Sequence, residues 1–370
     1  MIRRHAFAGA VILAALAGCG RSASPDAVEI GSASTNASPT SAADRDPCGL
    51  LPRKDVEAAL GSPLAVPPYR AQMNGPPQPD GEDCVYETAD FHRIALEPAW
   101  TGGASTLRMY GMVQGMADQK MKGTLSLGQG ATLAGDWDEA KVTGCCTLLV
   151  LLGDTMISID VSSSNASLQQ AATLANAALA HLDKPLDIDG ASAVPAALAL
   201  EAKRPTRVDP CSLVSRAEAE ALLGPLIAAP VSEGDSCSYE LPTQGLRQIY
   251  ELKIRWHGGY ADYREHNAMA GGIVKAMLPG EKDMKKTASD LHSGNNAEAG
   301  SIDKSYGGGD TGAQHMFSGV DAGQGPWDEA TTSILGFAAV RKDVQMTIDV
   351  SGVRADSAHK LVASAMSKIH

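Results

Sequence analysis

The chain has 370 residues, a formal net charge of -12 and an aromatic content of only 4%. Such an acidic chain repels the phosphates of nucleic acids and of anionic lipids, so a nucleic-acid-binding function is not expected. The length fits about two domains, whose cores must rely on aliphatic side chains and methionine.

The first 18 residues have the pattern of a secretory signal. Arg3 and Arg4 form a basic start, and the apolar run from Ala6 to Leu16 is too short to span a bilayer. The run ends in Leu16-Ala17-Gly18-Cys19, which is similar to the lipobox of bacterial lipoproteins. This similarity implies cleavage before Cys19 and acylation of its sulfur and new amino group. An ordinary signal peptide with a chance cysteine is the alternative. Several acyl chains on one residue form a stable membrane anchor.

Residues 19–45 follow as a segment rich in Ser, Ala, Thr, Asn, Asp and Pro. A segment that can bury so little apolar surface predicts a flexible tether. In Gram-negative lipoproteins, an aspartate directly after the lipidated cysteine retains the protein in the inner membrane. Gly20 stands there instead, so the resemblance permits either the cell membrane or the outer membrane, with the protein facing the periplasm or the exterior.

One motif then occurs twice, from Asp46 to Gly61 and from Asp209 to Gly224. Each occurrence has a Pro-Cys step, an apolar residue, an amphipathic helix and a final glycine. Further matches follow in the same order, at Trp100 to Gly103 and Trp256 to Gly259, at Trp137 to Ala140 and Trp327 to Ala330, and at Ile157 to Ser162 and Met346 to Ser351. This pattern indicates a tandem duplication.

We name residues 46–184 copy one, residues 185–208 the joining segment and residues 209–370 copy two. The joining segment is Ala-rich and is expected to be an irregular linker, with room for a short helix. Each copy predicts a helix, two strands, a helix, about three strands and a last helix. Mostly hairpin-connected strands with separate helices predict the α+β class, with one antiparallel sheet and about three helices in each copy. A Gly-, Ser- and Asp-rich insertion at 293–325 in copy two predicts a mobile loop or a lid.

The Asp-Pro-Cys-x-Leu helix, the Cys-x-Tyr strand and the closing helix resemble small secreted lipoprotein domains of unknown function from actinobacteria and proteobacteria. The resemblance covers both copies and implies a cell-envelope lipoprotein with a sheet-and-helix fold similar to the PsbP family. It also implies one disulfide within each copy. By analogy between the copies, the pairs are Cys48 with Cys84 and Cys211 with Cys237. The alternative, a zinc site across the copies, would need a Cys-x₂-Cys spacing that is absent.

Cys145 and Cys146 have no counterpart in copy two, where Leu335 and Gly336 stand. Adjacent residues of a strand point to opposite faces, so two such sulfurs cannot easily hold one ion. The sequence favours two thiols or a pair packed as small hydrophobic residues, with a redox-active vicinal disulfide as the alternative.

Met109, Met112 and Met116 share one face of a predicted helix. Thioethers in an oxidising compartment suit Cu(I), but core packing is the favoured interpretation because the duplication does not keep these residues.

The duplication keeps the framework residues, but it does not repeat any group of residues suited to acid–base catalysis or to metal binding. The leading hypothesis is therefore a non-catalytic, membrane-tethered binding or structural module without a cofactor, whose partner is an unidentified envelope protein or small molecule. Asp160 and Asp349 recur on the polar face of one strand and are candidates for a binding face, with solvated surface as the alternative. The competing hypotheses are an envelope hydrolase with its site under residues 293–325 and a copper or redox protein using Cys145, Cys146 and the methionine helix.

Overall fold

The computed structural model describes residues 45–72, 75–114, 124–128, 131–242, 248–277, 320–321, 324–333, 336–348 and 355–370. All of them belong to one compact unit that extends from Ser41 to His370. Cys19, Met116, Asp349 and most of the 293–325 insertion lie outside the described residues, as does the side chain of Met112. No helix in the described ranges is long and apolar enough to cross a membrane.

Copy one contains a six-stranded antiparallel sheet with the strand order β1-β2-β3-β8-β7-β6, and a separate β4-β5 hairpin. A 3-10 turn at Pro47–Leu50 precedes the first helix. The elements are α1 (Arg53–Leu60), β1 (Tyr69–Ala71), β2 (Asp83–Glu87), β3 (Arg93–Ala99), α2 (Gly103–Gln114), β4 (Thr124–Gly128), β5 (Ala131–Ala134), β6 (Glu139–Thr143), β7 (Thr147–Leu152), β8 (Thr155–Asp160) and α3 (Leu168–Ala180).

Copy two follows the joining segment, whose helix is α4 (Val194–Glu201). The elements of copy two are α5 (Pro210–Leu213), α6 (Arg216–Leu223), β9 (Val231–Glu233), β10 (Ser236–Leu241), β11 (Gln248–Arg255), α7 (Gly259–Met277), β12 (Val320–Asp321), β13 (Glu329–Ser333), β14 (Gly336–Arg341), β15 (Val344–Ile348) and α8 (Ala355–Met366). Its antiparallel sheet has the order β12-β13-β14-β15-β11-β10-β9 in the described residues. Apart from β12, this order repeats that of copy one strand for strand, and the predicted α+β class is confirmed.

The beginning of each copy repeats down to individual hydrogen bonds. The Asp46 carboxylate accepts from Cys48 N at 2.9 Å, and that of Asp209 accepts from Cys211 N at 3.0 Å. In copy one, Arg53 donates to Glu57 at 2.8 Å, and Glu57 in turn accepts from Leu64 N at 2.9 Å. Copy two has the same network, formed by Arg216, Glu220 and Leu226. The duplicated sequence motif is therefore a capped turn and an anchored helix, which position the first cysteine of each copy.

Both predicted framework disulfides are present in the structure. Cys48 is bonded to Cys84, and Cys211 is bonded to Cys237. Each bridge joins the capped turn to the second strand of its sheet. Cys48, Cys84 and Cys237 are fully buried. The bridges therefore fasten the start of each copy to its core.

The two faces of the copy-one sheet bury different partners. On the inner face, Ile157, Ile159 and Val161 contribute to the main core together with α3. On the outer face, α2 packs on β7 and β8. Because both faces are covered at this position, β7 is nearly continuous in apolar residues rather than alternating. In β8, Met156 and Ser158 are buried as well as Ile157 and Ile159, as expected for a strand that is covered on both faces.

The joining segment packs on copy one. Ala193 and Ala197 at α4 lie against Tyr69, Ala71 and Val85 on the outer face of β1 and β2. Leu186 N donates to Gly49 O at 2.8 Å, and Gly190 N donates to the Asp46 carboxylate at 2.8 Å. The joining segment is thus ordered rather than an irregular linker throughout, and it contains the short helix for which its alanines left room. Ala193 and Ala197 are also the residues that allow its close approach to the sheet.

Candidate functional site

Arg204, at the end of the joining segment, connects the two copies. Its guanidinium is paired with Glu87 of copy one, with Glu201 at 2.6 Å, and with Asp343 of copy two at 2.5 Å. Only 7% of the Arg204 side chain is exposed, compared with 1% for Glu87 and 7% for Asp343. The guanidinium also lies over the Phe91 ring, 4.6 Å from its centroid. A buried arginine with carboxylates from both copies holds them in one arrangement, because removing it would leave buried charges without a partner.

Glu87 has a second donor in Tyr69, whose hydroxyl lies 2.7 Å from the Glu87 carboxylate. Burial, together with the nearby Glu87 charge, raises the pKa of Tyr69 far above its usual range. The phenol therefore stays protonated and donates to the carboxylate. Glu87 is thus satisfied by one neutral donor and one cation, as a buried carboxylate requires.

Asp343, in the β14–β15 turn, also caps the start of α7. Its carboxylate accepts from Gly258 N at 2.9 Å and from Tyr260 N at 3.2 Å, while its carbonyl accepts from Gly259 N at 2.9 Å. A carboxylate at a helix N-terminus satisfies backbone donors that lack a partner within the helix. The same side chain therefore fixes α7 and holds Arg204.

A second contact between the copies lies beside Arg204. The His92 ring of copy one lies 4.1 Å from the Tyr260 ring of copy two, centroid to centroid. The Tyr260 hydroxyl donates to Asp328 at 2.6 Å. Burial is the main reason that the pKa of Tyr260 is raised and that of His92 is lowered. Both groups are therefore neutral near pH 7.

A polar cleft of about 740 Å³ lies beside the Arg204 ion pairs, and Arg204, Glu201 and Asp343 line it. One wall is the outer face of the copy-one sheet, the second is the joining segment, and the third is the start of α7. Its charged lining residues are Arg93, Asp160, Glu201, Arg204, Arg255, Asp262, Glu265 and Asp343. The volume is in the range of a small-molecule site, although the lining is more polar than is usual.

Three arginines face this cleft, and their partners differ. Arg204 is held by three carboxylates, and Arg255 pairs with Asp262 at 2.6 Å. No carboxylate forms an ion pair with the half-buried Arg93 guanidinium within the described ranges. Glu201 and Asp343, which also line the cleft, pair with Arg204 rather than with Arg93. Arg93 lies opposite Glu87 in the β2–β3 ladder and is attracted to the Glu87 and Asp83 carboxylates without a direct ion pair to either. It is the cleft arginine whose guanidinium is least engaged among the described residues.

Asp160, a predicted binding-face residue, lies in the cleft wall beside Arg93. Its carboxylate accepts from Ser162 N at 2.8 Å and from the Thr147 hydroxyl at 3.4 Å. Ser163 O accepts from Arg93 N at 2.7 Å. Asp160 thus orders the strand end beside Arg93, whereas its counterpart Asp349 lies outside the described residues. The binding-face hypothesis itself stays a prediction.

Cys145 and Cys146 form a vicinal disulfide in the same wall. They do not lie in a strand, as the sequence interpretation assumed, but in the three-residue turn Gly144–Cys146 between β6 and β7. Gly144 adopts a φ of 59°, a left-handed conformation that suits glycine. The favoured interpretation, two thiols or a hydrophobic pair, is wrong, because the turn brings together side chains that a strand would separate.

The methionine helix does not support the copper hypothesis. Met109 is 62% exposed, so the core-packing interpretation is also wrong at this position. Met109 is absent from the described cleft lining, whereas Cys145 and Cys146 belong to it. A disulfide offers no thiolate, which is the form that binds metals. The described residues contain no cluster of three or more His, Cys, Asp or Glu that could hold a metal ion.

Sequence reasoning missed Arg93, Arg204 and Asp343. Lys342-Asp343 stands in copy two where copy one has Gly153-Asp154, but nothing in the sequence links this turn to Arg204. The only available signal for Arg204 was an isolated arginine at the end of an alanine-rich segment.

The chain matches no protein-family model, and neither a curated protein nor a solved structure is similar to it by the same comparisons.

Proposed function

We propose that this protein is a lipid-anchored binding module of the bacterial cell envelope that holds a small anionic ligand in the cleft between its two copies. The observation that carries this proposal is the Arg93 guanidinium in the cleft lining, which forms no direct ion pair with a carboxylate among the described residues. A guanidinium presents a planar set of donors that matches a carboxylate or a phosphate.

Most of the other charges of the cleft are engaged within the protein. Arg204 and Arg255 pair with Glu201, Asp262 and Asp343, and Asp160 accepts hydrogen bonds from Ser162 N and from the Thr147 hydroxyl of β7. Four of the five lining carboxylates are therefore engaged by the protein, and Glu265 is the fifth. An anion at Arg93 would meet the donor that the fold leaves available.

The duplication supports binding over catalysis. Both copies keep the capped turn, the anchored helix and the framework disulfide, which are structural features. The copies differ at the cleft, because Arg93 and Asp160 come from copy one and the start of α7 comes from copy two. One shared site then replaces the two equivalent sites that an unmodified duplication would carry.

Ligand binding is tested by thermal denaturation of the chain with inorganic phosphate, citrate, succinate and glutamate, each titrated separately. We expect at least one of these anions to raise Tm, since a ligand that binds the folded state stabilises it. Arg93→Gln should weaken that affinity at least about tenfold, the effect of losing one charged hydrogen bond. The matched control is Arg108→Gln, because Arg108 is an exposed residue of α2 outside the described cleft lining, and this variant should bind as the parent does. Equal protection of Arg93→Gln and the parent, or protection by none of the anions, would contradict the proposal.

The anchor is tested separately. Cys19→Ala should abolish incorporation of labelled palmitate and release the protein from the membrane fraction, whereas Ser22→Ala should change neither. Palmitate incorporation that persists in Cys19→Ala would refute the lipid anchor without affecting the argument for the cleft.

A further inference from the structure

The three disulfides of this chain occupy two kinds of environment. The framework bridges occur once in each copy, and their cysteines are not among the described residues that line the cleft. Cys48, Cys84 and Cys237 are fully buried, and Cys211 is half-buried. The Cys145–Cys146 bridge belongs to copy one, faces the cleft and has a half-buried Cys145 beside a buried Cys146. Buried structural bridges resist thiols, whereas accessible bridges are the ones that exchange.

We propose that Cys145–Cys146 is a thiol–disulfide exchange site that oxidises a small dithiol entering the cleft. The thiolate of the dithiol attacks Cys145 Sγ, forming a mixed disulfide and breaking the Cys145–Cys146 bond. The electron pair of the broken bond leaves on Cys146 Sγ, which takes up a proton. The second thiolate of the dithiol then attacks the other dithiol sulfur, which is bonded to Cys145 Sγ in the mixed disulfide. This attack releases Cys145 as a thiolate, which is protonated in turn.

The net reaction transfers two electrons and two protons from the dithiol to the cysteine pair. The products are a cyclic disulfide and two protein thiols. The reverse reaction, with a small disulfide as the oxidant, restores the bridge. A monothiol is a poor substrate, because Cys146 remains beside the mixed disulfide and expels the monothiol at a high effective concentration.

Cys145 is the sulfur that we expect to be attacked, because it is the more accessible of the two. Attack on a disulfide depends on access to the sulfur and on the leaving thiol. Cys146 is only 7% exposed and belongs to the main core, whereas Cys145 packs against that core and is half-buried. Access from the cleft therefore favours mixed-disulfide formation on Cys145.

The surrounding hydrogen bonds allow the bridge to open without unfolding the hairpin. Cys146 O accepts from Val161 N at 3.1 Å, and the Thr147 hydroxyl donates to Asp160. Thr143 and Thr147 face each other in the ladder on either side of the turn. None of these contacts uses a sulfur atom, so β6 and β7 keep their pairing when the bridge is reduced.

The inference requires that a thiol can enter the cleft, but it does not require the anion site at Arg93. Failure of the anion titration therefore leaves it standing, and failure of the exchange experiment leaves the anion proposal standing.

The first experiment uses the oxidised full chain and dithiothreitol. Samples taken over time are alkylated with N-ethylmaleimide, and the three bridges are followed by peptide mass mapping. The peptide with Cys145 and Cys146 should gain two alkyl groups at least about tenfold faster than either framework pair, as accessibility predicts. Reduced glutathione at the same thiol concentration should leave most of it oxidised. Loss of all three bridges together, earlier loss of a framework bridge, or equal efficiency of glutathione would overturn the proposal.

The second experiment compares Cys146→Ser with Cys145→Ser. Each variant keeps one thiol of the pair, which is treated with an aromatic disulfide reagent that releases a coloured thiolate. Cys145 in the Cys146→Ser variant should react at least about tenfold faster, because it is the accessible sulfur. Equal or reversed rates would overturn Cys145 as the attacked atom. Circular dichroism verifies folding, and if either variant does not fold, the experiment on the parent chain still decides the proposal.

Discussion

The last hairpin turn of each copy shows how the duplicated halves diverged. In copy one, Asp154 accepts from Gly102 N at 2.8 Å, and its carbonyl accepts from Gly103 N. In copy two, Asp343 makes the same two contacts with the equivalent glycines and also pairs with Arg204. Asp154 is exposed, whereas Asp343 is buried. One cap kept only its local role, and its duplicate acquired a role in joining the copies.

The outer faces of the two sheets also differ, because the joining segment covers part of that face in copy one. In copy one, Tyr69 and Val85 are covered by α4. Their ladder equivalents in copy two are Val231 and Ser238, and Val231 is 60% exposed. The joining segment thus covers the outer face of β1 and β2 in copy one but leaves Val231 of copy two exposed. The asymmetry lies in the segment between the copies rather than in the repeated framework.

The largest expected effect comes from removing Arg204. Arg204→Ala leaves Glu87 and Asp343 as buried carboxylates without their cation, and should lower the free energy of unfolding by about 3–5 kcal/mol. The control is Arg207→Ala, because Arg207 pairs with Asp235 at 2.8 Å with side chains 61% and 45% exposed. It should cost less than about 1 kcal/mol. Urea denaturation measures both variants, and equal costs would refute the buried connection.

The same substitution in the last hairpin turn of each copy tests whether Asp154 and Asp343 differ in their contribution to stability. Asp343→Asn removes the charge that faces Arg204 and should cost about 2–3 kcal/mol, in the range of a charged hydrogen bond. Asp154→Asn changes only an exposed cap and should cost less than about 1 kcal/mol. The same denaturation experiment measures both. If Asp154→Asn cost as much as Asp343→Asn, the two turns would not have diverged in role.

A smaller effect with a defined pH dependence is expected at Asp83, where copy two has Ser236. Burial, followed by the charges of Glu97 and Glu82, raises the pKa of Asp83 to about 7. A carboxyl with a raised folded-state pKa stabilises the fold fully below its unfolded pKa of about 4. This stability is lost as pH rises through about 7.

Asp83→Asn should therefore stabilise the protein at pH 8 by about 1–2 kcal/mol and have little effect near pH 4. Exposed Asp80→Asn serves as the control. Thermal melts at the two pH values measure the difference, and a stabilisation of Asp83→Asn that is greater at pH 4 than at pH 8 would contradict the assignment.

The sequence was sufficient for features that depend on local patterns. The repeated motif located both framework bridges. Ser167 and Ser215 have the spacing to Gln170 and Glu218 that is typical of capping boxes, and both boxes are present in the structure. Ile157, Ile159 and Val161 alternate with polar residues, a pattern typical of a strand with a buried face, and all three are buried. These signals are short in range, so they can be read without knowing how the copies meet.

The cleft could not be predicted because its residues are distant in sequence. Arg204 reaches Asp343 across 139 positions, and no local pattern links an arginine to that turn. The vicinal disulfide was missed for a different reason. Its feasibility depends on whether Cys145 and Cys146 lie in a turn or a strand, and one residue of boundary error changes the answer.

The packing of α4 on copy one has a consequence for the order of folding. A chain emerges from its amino terminus during synthesis, and domains generally fold in that order. Once Arg204 has emerged, copy one has its sheet, its covering helix and the Glu87 partner, while Asp343 has yet to emerge. We therefore expect copy one to fold first and to present Arg204 as a preformed docking point, which the last hairpin of copy two reaches near the end of synthesis.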